Sequence, residues 1–207
     1  MTVNPNSALA FAELLIKKAP DFVELICAST DDEFDSAHDA FIGEAVDHLE
    51  VNKKNFAALD EVGLSGVFAA SLKMPGVTVL QEAHSNGHVD ITVYFHHCTP
   101  VRKKLFEAKI YDGPSYHISG LEQLLNRYAT GREGRGVVLS YVRKSNIAQL
   151  VKSVRAKMDE DLPCSQQGHT SDHTIKWSFL SHHAHSSGEE LAVAHVSCNL
   201  FLEGSDK

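Results

Sequence analysis

The chain has 207 residues, 43% apolar and 22% charged, enough to bury a sizeable core but too short for two full domains and too apolar for extensive disorder. A formal net charge of -8 excludes a protein that coats nucleic acid by electrostatics alone. No apolar run is long enough for a membrane span and the first residues lack the order of a signal peptide, so Cys27, Cys98, Cys164 and Cys198 read as buried thiols of a cytoplasmic protein.

Residues 7–28 read as one or two short amphipathic helices: Ser7 can cap, Leu9, Phe11, Leu14 and Leu15 are apolar, and Pro20 interrupts. Residues 31–35 form an acidic linker before a helix carrying Phe41, Ile42, Val46 and Leu49. Glu44 on that helix is a reserve acid should Glu61 prove misplaced. Asp60 is the expected N-cap of the next helix, whose stripe is Leu64, Val67, Phe68 and Leu72 and whose first turn holds Glu61. A β-like run over residues 76–82 follows Pro75-Gly76, and a turn at Ser85-Asn86-Gly87 joins it as a hairpin to a strand over residues 87–95.

In that strand the period of two assigns Val89, Ile91, Val93 and Phe95 to the core face and turns Asp90 the other way. The same period over residues 105–111 sends Phe106, Ala108 and Ile110 inward and sets Glu107 and Lys109 together on the opposite face. Two carboxylates and an ammonium thus converge on one sheet surface. An anionic phosphodiester needs a hard cation to offset its charge and to lower the pKa of a bound water. Asp90, Glu107 and the Ala108 carbonyl can supply oxygens to Mg²⁺, which takes one or two carboxylates and keeps several waters. Lys109 would orient or help deprotonate that water and steady developing charge. The plainer alternative is a solvated charge cluster across two antiparallel strands.

After a turn at Asp112-Gly113-Pro114, the spacing Ser119-Gly120-Leu121-Glu122 is that of a capping box and starts a helix. Its stripe is Leu121, Leu124, Leu125 and Tyr128, with Gly131 closing it; Gln123 and Arg127, four apart, share another face. The nearly continuous apolar run over residues 137–142 has the pattern of a strand buried on both sides. Asn146 then caps a helix with the stripe Ile147, Leu150, Val151, Val154 and Met158, and residues 174–202 form a hairpin turned at Ser186-Ser187-Gly188. His182, His183, His185, His195 and Cys198 fall near one another there; without the paired spacing of a zinc set, the histidines read as hairpin-surface residues.

Charge is uneven along the chain. From Val101 to Lys157 twelve Lys and Arg face four acids, and Arg127, Arg132 and Arg135, near the predicted site helix, are the expected phosphate contacts.

In its order of elements and in Glu61, Asp90, Glu107-Ala108-Lys109 and Gln123, the stretch over residues 57–144 resembles the PD-(D/E)XK phosphodiesterase superfamily. The resemblance implies an α/β fold: a restriction-endonuclease-like mixed β-sheet flanked by helices, here with extra N-terminal helices and a C-terminal β-hairpin. It implies Glu61, Asp90, Glu107 and Ala108 as metal ligands for Mg²⁺, with Mn²⁺ as substitute, and Asp90, Glu107, Lys109 and Gln123 as catalytic residues. Some branches, including RecB-like nucleases, pair the Gln with a Tyr on the same helix; the four-residue step here lands on Arg127, with Tyr128 one later, so the Gln alone transfers. Glu82 matches a commonly acidic position. The expected layout is a helical extension at 1–56 packed on a nuclease core at 57–144, completed by residues 145–207. The expected function is metal-dependent endonucleolytic hydrolysis of DNA, with RNA as the other substrate, in a restriction, repair, mobile-element or phage-defence setting. So small a chain is expected to act as a homodimer or with a targeting partner protein. The competing expectation is a non-catalytic nucleic-acid- or protein-binding module that keeps the fold.

Overall fold

A computed structural model of the protein describes residues 7–81 and 89–204. The chain divides into two compact units, Met1–Ile42 and Gly43–Lys207.

In the first unit, α1 (Ala8–Lys18) starts where the Ser7 hydroxyl accepts the Ala10 N–H at 3.1 Å. Helix α2 (Pro20–Cys27) opens on proline, whose missing N–H would be unpaired at that position anyway. The acidic residues expected to be a linker instead begin α3 (Asp31–Val51), which runs on into the second unit. Thr30 and Glu33 form a capping box: the Thr30 hydroxyl accepts the Glu33 N–H, and the Glu33 carboxylate accepts that of Thr30. With that start secured, Asp31, Asp32 and Glu33 sit against the positive end of the helix dipole, so the acids help the helix form.

The second unit is built on a mixed seven-stranded sheet of order β1-β2-β3-β4-β7-β6-β5. Its strands are β1 (Val77–Gln81), β2 (Ile91–Phe95), β3 (Arg102–Ile110), β4 (Gly136–Val142), β5 (Ser171–Asp172), β6 (Phe179–Ala184) and β7 (Glu190–Asn199). The β3–β4 and β4–β7 pairs are parallel and the rest antiparallel, so the expected C-terminal hairpin, β6–β7, lengthens the sheet by docking β7 along β4. Helices lie on both faces. Phe68 of α4 (Glu61–Ser71) meets Phe106 with ring centroids 5.7 Å apart, and the Tyr141 hydroxyl donates to Ser65, which puts α4 on the face of Phe106, Ala108, Leu139 and Tyr141. The opposite face is covered by α5 (Pro114–Gln123) and α6 (Ile147–Asp161), whose Ile118, Leu121, Val151, Val154 and Met158 join Val138, Val142 and Val193 in one apolar cluster. No helix among the described residues is long and apolar enough to cross a membrane.

Several boundaries differ from the sequence expectation for local reasons. Helix α5 starts at Pro114 rather than Ser119, because Gly113 at φ 105° turns the chain and Pro114 fits the first helical position; the Ser119 hydroxyl then folds back onto the Tyr116 carbonyl. Asn146 does precede α6, but in the left-handed region and without a side-chain cap. Of the four thiols, all free, only Cys198 is buried. His183 and His195 are core residues at 1% and 0% exposure, not surface ones.

Candidate functional site

Strand β2 begins at Ile91, opposite Phe106, while β3 continues to Ile110 beside β4. Past Phe106 the N–H groups of β3 that point toward β2 therefore meet no strand, and an unpaired N–H in this partly buried region is costly. Two carboxylates fill the gap. Asp90 accepts the Ala108 N–H at 2.7 Å, and Glu61 accepts that of Ile110 at 2.8 Å. Asp90 thus lies just ahead of β2 rather than within it, and its carboxylate meets the edge of β3. Glu61 is delivered by the first turn of α4, which is anchored where the Asp60 side chain accepts the Gly63 N–H at 2.9 Å.

Glu107 and Lys109 leave β3 on the α5 face, as their spacing predicts. Lys109 Nζ lies 2.7 Å from Glu107 Oε1 and 3.6 Å from Glu61 Oε1, so residues 48 positions apart in sequence meet around one ammonium. The surface is not an open wet face: Glu107 is only 2% exposed. Gly120 of α5 lies directly above the pair, since a Cβ there would sit 3.2 Å from Lys109 Cγ and 3.6 Å from Glu107 Cγ. Burial and the charge of Asp90 push the Glu107 carboxyl up to about 7, against the pull of Lys109. For Lys109, burial works against the charge, but the hydrogen bond to Glu107 and the charges of Glu107, Glu61 and Asp90 outweigh it and raise the ammonium further. Lys109 is therefore held as a cation here.

Glu107 Oε2 is buried and has no hydrogen-bond partner. A divalent cation would supply one. Among the described residues no cluster of three or more His, Cys, Asp or Glu side chains is arranged to hold a metal ion. Mg²⁺ needs fewer: one or two carboxylates, a carbonyl and waters satisfy it. Asp90, Glu107 and the Ala108 carbonyl fit that requirement, with Glu61 tied to β3 beside them.

Gln123 stands one turn beyond Gly120 on α5 and so shares the face that covers Lys109 and Glu107. The next turn, Leu124–Tyr128, is a π-helix closed by the Ala129 N–H donating to the Leu124 carbonyl at 2.9 Å. In such a turn residues five apart stack, so Tyr128 takes the place above Gln123 that an α-helix would give to Arg127. Burial raises the Tyr128 hydroxyl, as do the negative charges of Glu107 and Asp90. In the sequence Tyr128 stands one position beyond the four-residue step from Gln123, and nothing there marks the π-turn.

The basic half of the sequence is largely occupied internally. Lys104 donates to the Arg135 carbonyl, Arg143 to that of Leu59, Lys103 pairs with Glu133, Lys144 with Asp112 and Arg155 with Asp172. Arg135 is itself buried, its guanidinium 3.4 Å from His173, and so does not present a phosphate-binding surface. Arg127 is exposed beside Tyr128. Arg132 is exposed in a loop held by Glu133, whose carboxylate accepts the N–H groups of Thr130 and Arg132. Gly131, at φ 82°, lies in that loop beyond the helix it was expected to close. Glu82 and the turn at residues 85–87 fall outside the described residues. Compared with known proteins, the chain matches no family model, no curated protein and no solved structure.

Proposed function

We propose that the chain is a Mg²⁺-dependent phosphodiesterase of the restriction-endonuclease-like kind, cleaving DNA, with RNA as the alternative substrate. The reading rests chiefly on one observation: acids from α4, from the start of β2 and from β3 meet at one sheet fork around Lys109, with a buried Glu107 oxygen left unpaired. The sheet order, the parallel β3–β4 crossover through α5 and the resemblance to the PD-(D/E)XK superfamily agree with it. Asp90, Glu107 and the Ala108 carbonyl would hold Mg²⁺, with Mn²⁺ as substitute. Bound there, the ion supplies Lewis acidity toward the phosphate and lowers the pKa of a water. Lys109 adds a fixed positive charge close to the reacting oxygens, Gln123 and Tyr128 orient substrate or water, and Arg127 and Arg132 meet phosphates farther along the strand. Targeting would come from a partner or from dimerisation, in a cytoplasmic restriction, repair, mobile-element or phage-defence role.

A second reading draws on a specific observation as well. Asp90 and Glu61 each complete a hydrogen bond that β3 would otherwise lack, and Lys109 neutralises Glu107, so the cluster also has a purely structural use in a non-catalytic binding module. Asp90→Asn separates the two. The amide oxygen still accepts the Ala108 N–H but is a poor Mg²⁺ ligand. Expected is loss of metal-dependent nicking of supercoiled DNA by about 100-fold or more with stability kept within about 1 kcal/mol. A wild-type protein inert toward DNA and RNA in both Mg²⁺ and Mn²⁺, or an Asp90→Asn protein of undiminished activity, decides for the structural reading.

A further inference from the structure

Beside the acidic fork, on the same face of the sheet, five side chains form an unbroken buried chain. Ser140 Oγ lies 2.8 Å from His117 Nδ1, His117 Nε2 is 2.7 Å from His195 Nδ1, and His195 Nε2 is 2.7 Å from Ser181 Oγ. Ser181 Oγ in turn is 2.7 Å from His183 Nε2, and His183 Nδ1 is 3.1 Å from the Cys164 carbonyl. All five residues are at most 2% exposed.

The carbonyl at the far end sets the direction of every link. A carbonyl only accepts, so His183 carries its proton on Nδ1 and accepts at Nε2 from the Ser181 hydroxyl. Ser181, having used its one proton, accepts from His195 Nε2–H. His195 Nδ1 then accepts from His117 Nε2–H, and His117 Nδ1 from the Ser140 hydroxyl. Five protons serve five links. A proton added to His195 sets two donors face to face unless His117 reverses and Ser140 rotates, and one added to His183 does so unless Ser181 and His195 reverse as well. The chain ends at an acceptor that cannot pass a proton on, so it conducts none. No serine in it is accessible to a substrate, so it is not a nucleophile site.

What the chain does is join α5 to the sheet. His117 belongs to α5, one turn before Gly120, while its partners are on β4, β7 and β6. The charged and titratable groups around it give an added proton no counter-ion. Ser140 is the register neighbour of Lys109 on β3, beyond which lies Glu107. From α6, Arg155 stands over the Phe179 ring, which stacks on His195 at 4.4 Å. His182 flanks His183 on β6, and the Cys164 thiol and the Glu122 carboxylate of α5 lie at the far end. Two of the cations, Lys109 and Arg155, oppose a third positive charge, and no carboxylate takes part in any of the five links. Burial holds His117 down to about 4 and lowers His195 and His183 as well.

We propose that Ser140, His117, His195, Ser181 and His183 form a one-directional latch that seats α5 over Lys109 and Glu107, and that proton uptake below neutral pH releases α5. This holds whether or not the fork hydrolyses phosphodiesters, and its test uses no substrate. In the ¹⁵N-labelled full chain at about pH 7.5, long-range ¹H–¹⁵N spectra are expected to show His117 and His195 protonated on Nε2 and His183 on Nδ1. Amide-exchange protection in α5, corrected for intrinsic rates, is expected to fall roughly ten-fold for each imidazole exposed on opening when the pH is lowered to about 5.5, while α6, whose buried face has no histidine, holds its protection. In His117→Leu the fall in α5 protection should be smaller by about ten-fold, the share of one imidazole; if that variant does not fold, the wild-type profiles decide. The opposite tautomer at His195, a pH-independent α5, or α5 and α6 losing protection in step would each overturn the latch.

Discussion

Lys109 and Glu107 show how far single residues could be read in advance. Their shared face followed from the period of two alone, as did the buried positions of Ile91, Val93 and Phe95. What spacing could not supply was that α5 closes over them, because that depends on Gly120 having no side chain at a contact of 3.2 Å. Burial changes what the pair does energetically. Removing one member of a buried ion pair commonly costs about 3–5 kcal/mol, because the other charge is stranded. Glu107, already at about 7, escapes that penalty by taking up a proton. Lys109→Met is therefore expected to cost only about 1–2 kcal/mol at neutral pH, the value of the lost charged hydrogen bond, and less near pH 5. Urea denaturation at the two pH values checks this; a cost above about 3 kcal/mol at neutral pH would mean that Glu107 stays ionised without its partner. A change in the double variant with Glu107→Gln equal to the sum of the two single changes would mean that the two do not interact.

At the scale of elements, the sequence was legible where a local rule had no competitor and misleading where two rules overlapped. Asp60 capping α4 and the hairpin of β6 and β7 needed only their own residues. Ser119-Gly120-Leu121-Glu122 has the spacing of a capping box, yet Gly113-Pro114 offered an earlier start, and a helix begun there simply runs through Ser119. The Thr30–Glu33 box was overlooked because the acids around it looked like a linker. The π-turn at Leu124–Tyr128 has no sequence signature at all, since one extra residue in a turn is decided by what its ends pack against. That origin makes it testable. Asn126 is exposed, and deleting it leaves Tyr128 four residues after Gln123, the step an α-turn stacks. The shortened chain is expected to fold with an unchanged or higher melting temperature and to keep the nicking activity proposed for the wild type. Deletion of Gly120, which shifts Gln123 and Tyr128 together off the site, should not be tolerated. A collapse of stability on removing Asn126 would show that the π-turn does not serve to align Tyr128.

For the molecule as a whole, net charge was a poor guide to surface, because so many of the basic residues from Val101 to Lys157 face internal partners. Titration is a better one. Burial holds His117 down to about 4 and His195 well below the ordinary 6.5, and lowers His183 too, whereas in the unfolded chain all three charge near 6.5. Between about pH 6.5 and 4 the unfolded state therefore binds protons that the folded state refuses, and stability falls as pH falls. Glu107 has the opposite sign: its folded-state value is raised to about 7, so the fold takes up a proton from about pH 7 downward that the unfolded chain does not bind until about 4.5, and this offsets part of the loss. Glu50, raised by burial, acts in the same direction as Glu107. The imidazoles and the carboxyls thus pull stability in opposite directions as pH falls. Glu107→Gln removes one of these offsets, so between about pH 7 and 4.5 that variant should lose roughly 3 kcal/mol more than the wild type, at about 1.4 kcal/mol per pH unit, while being the more stable protein at alkaline pH. Urea unfolding followed across those pH values distinguishes the two slopes. Parallel profiles would mean that Glu107 is ionised throughout and that Lys109, rather than a proton, already neutralises it.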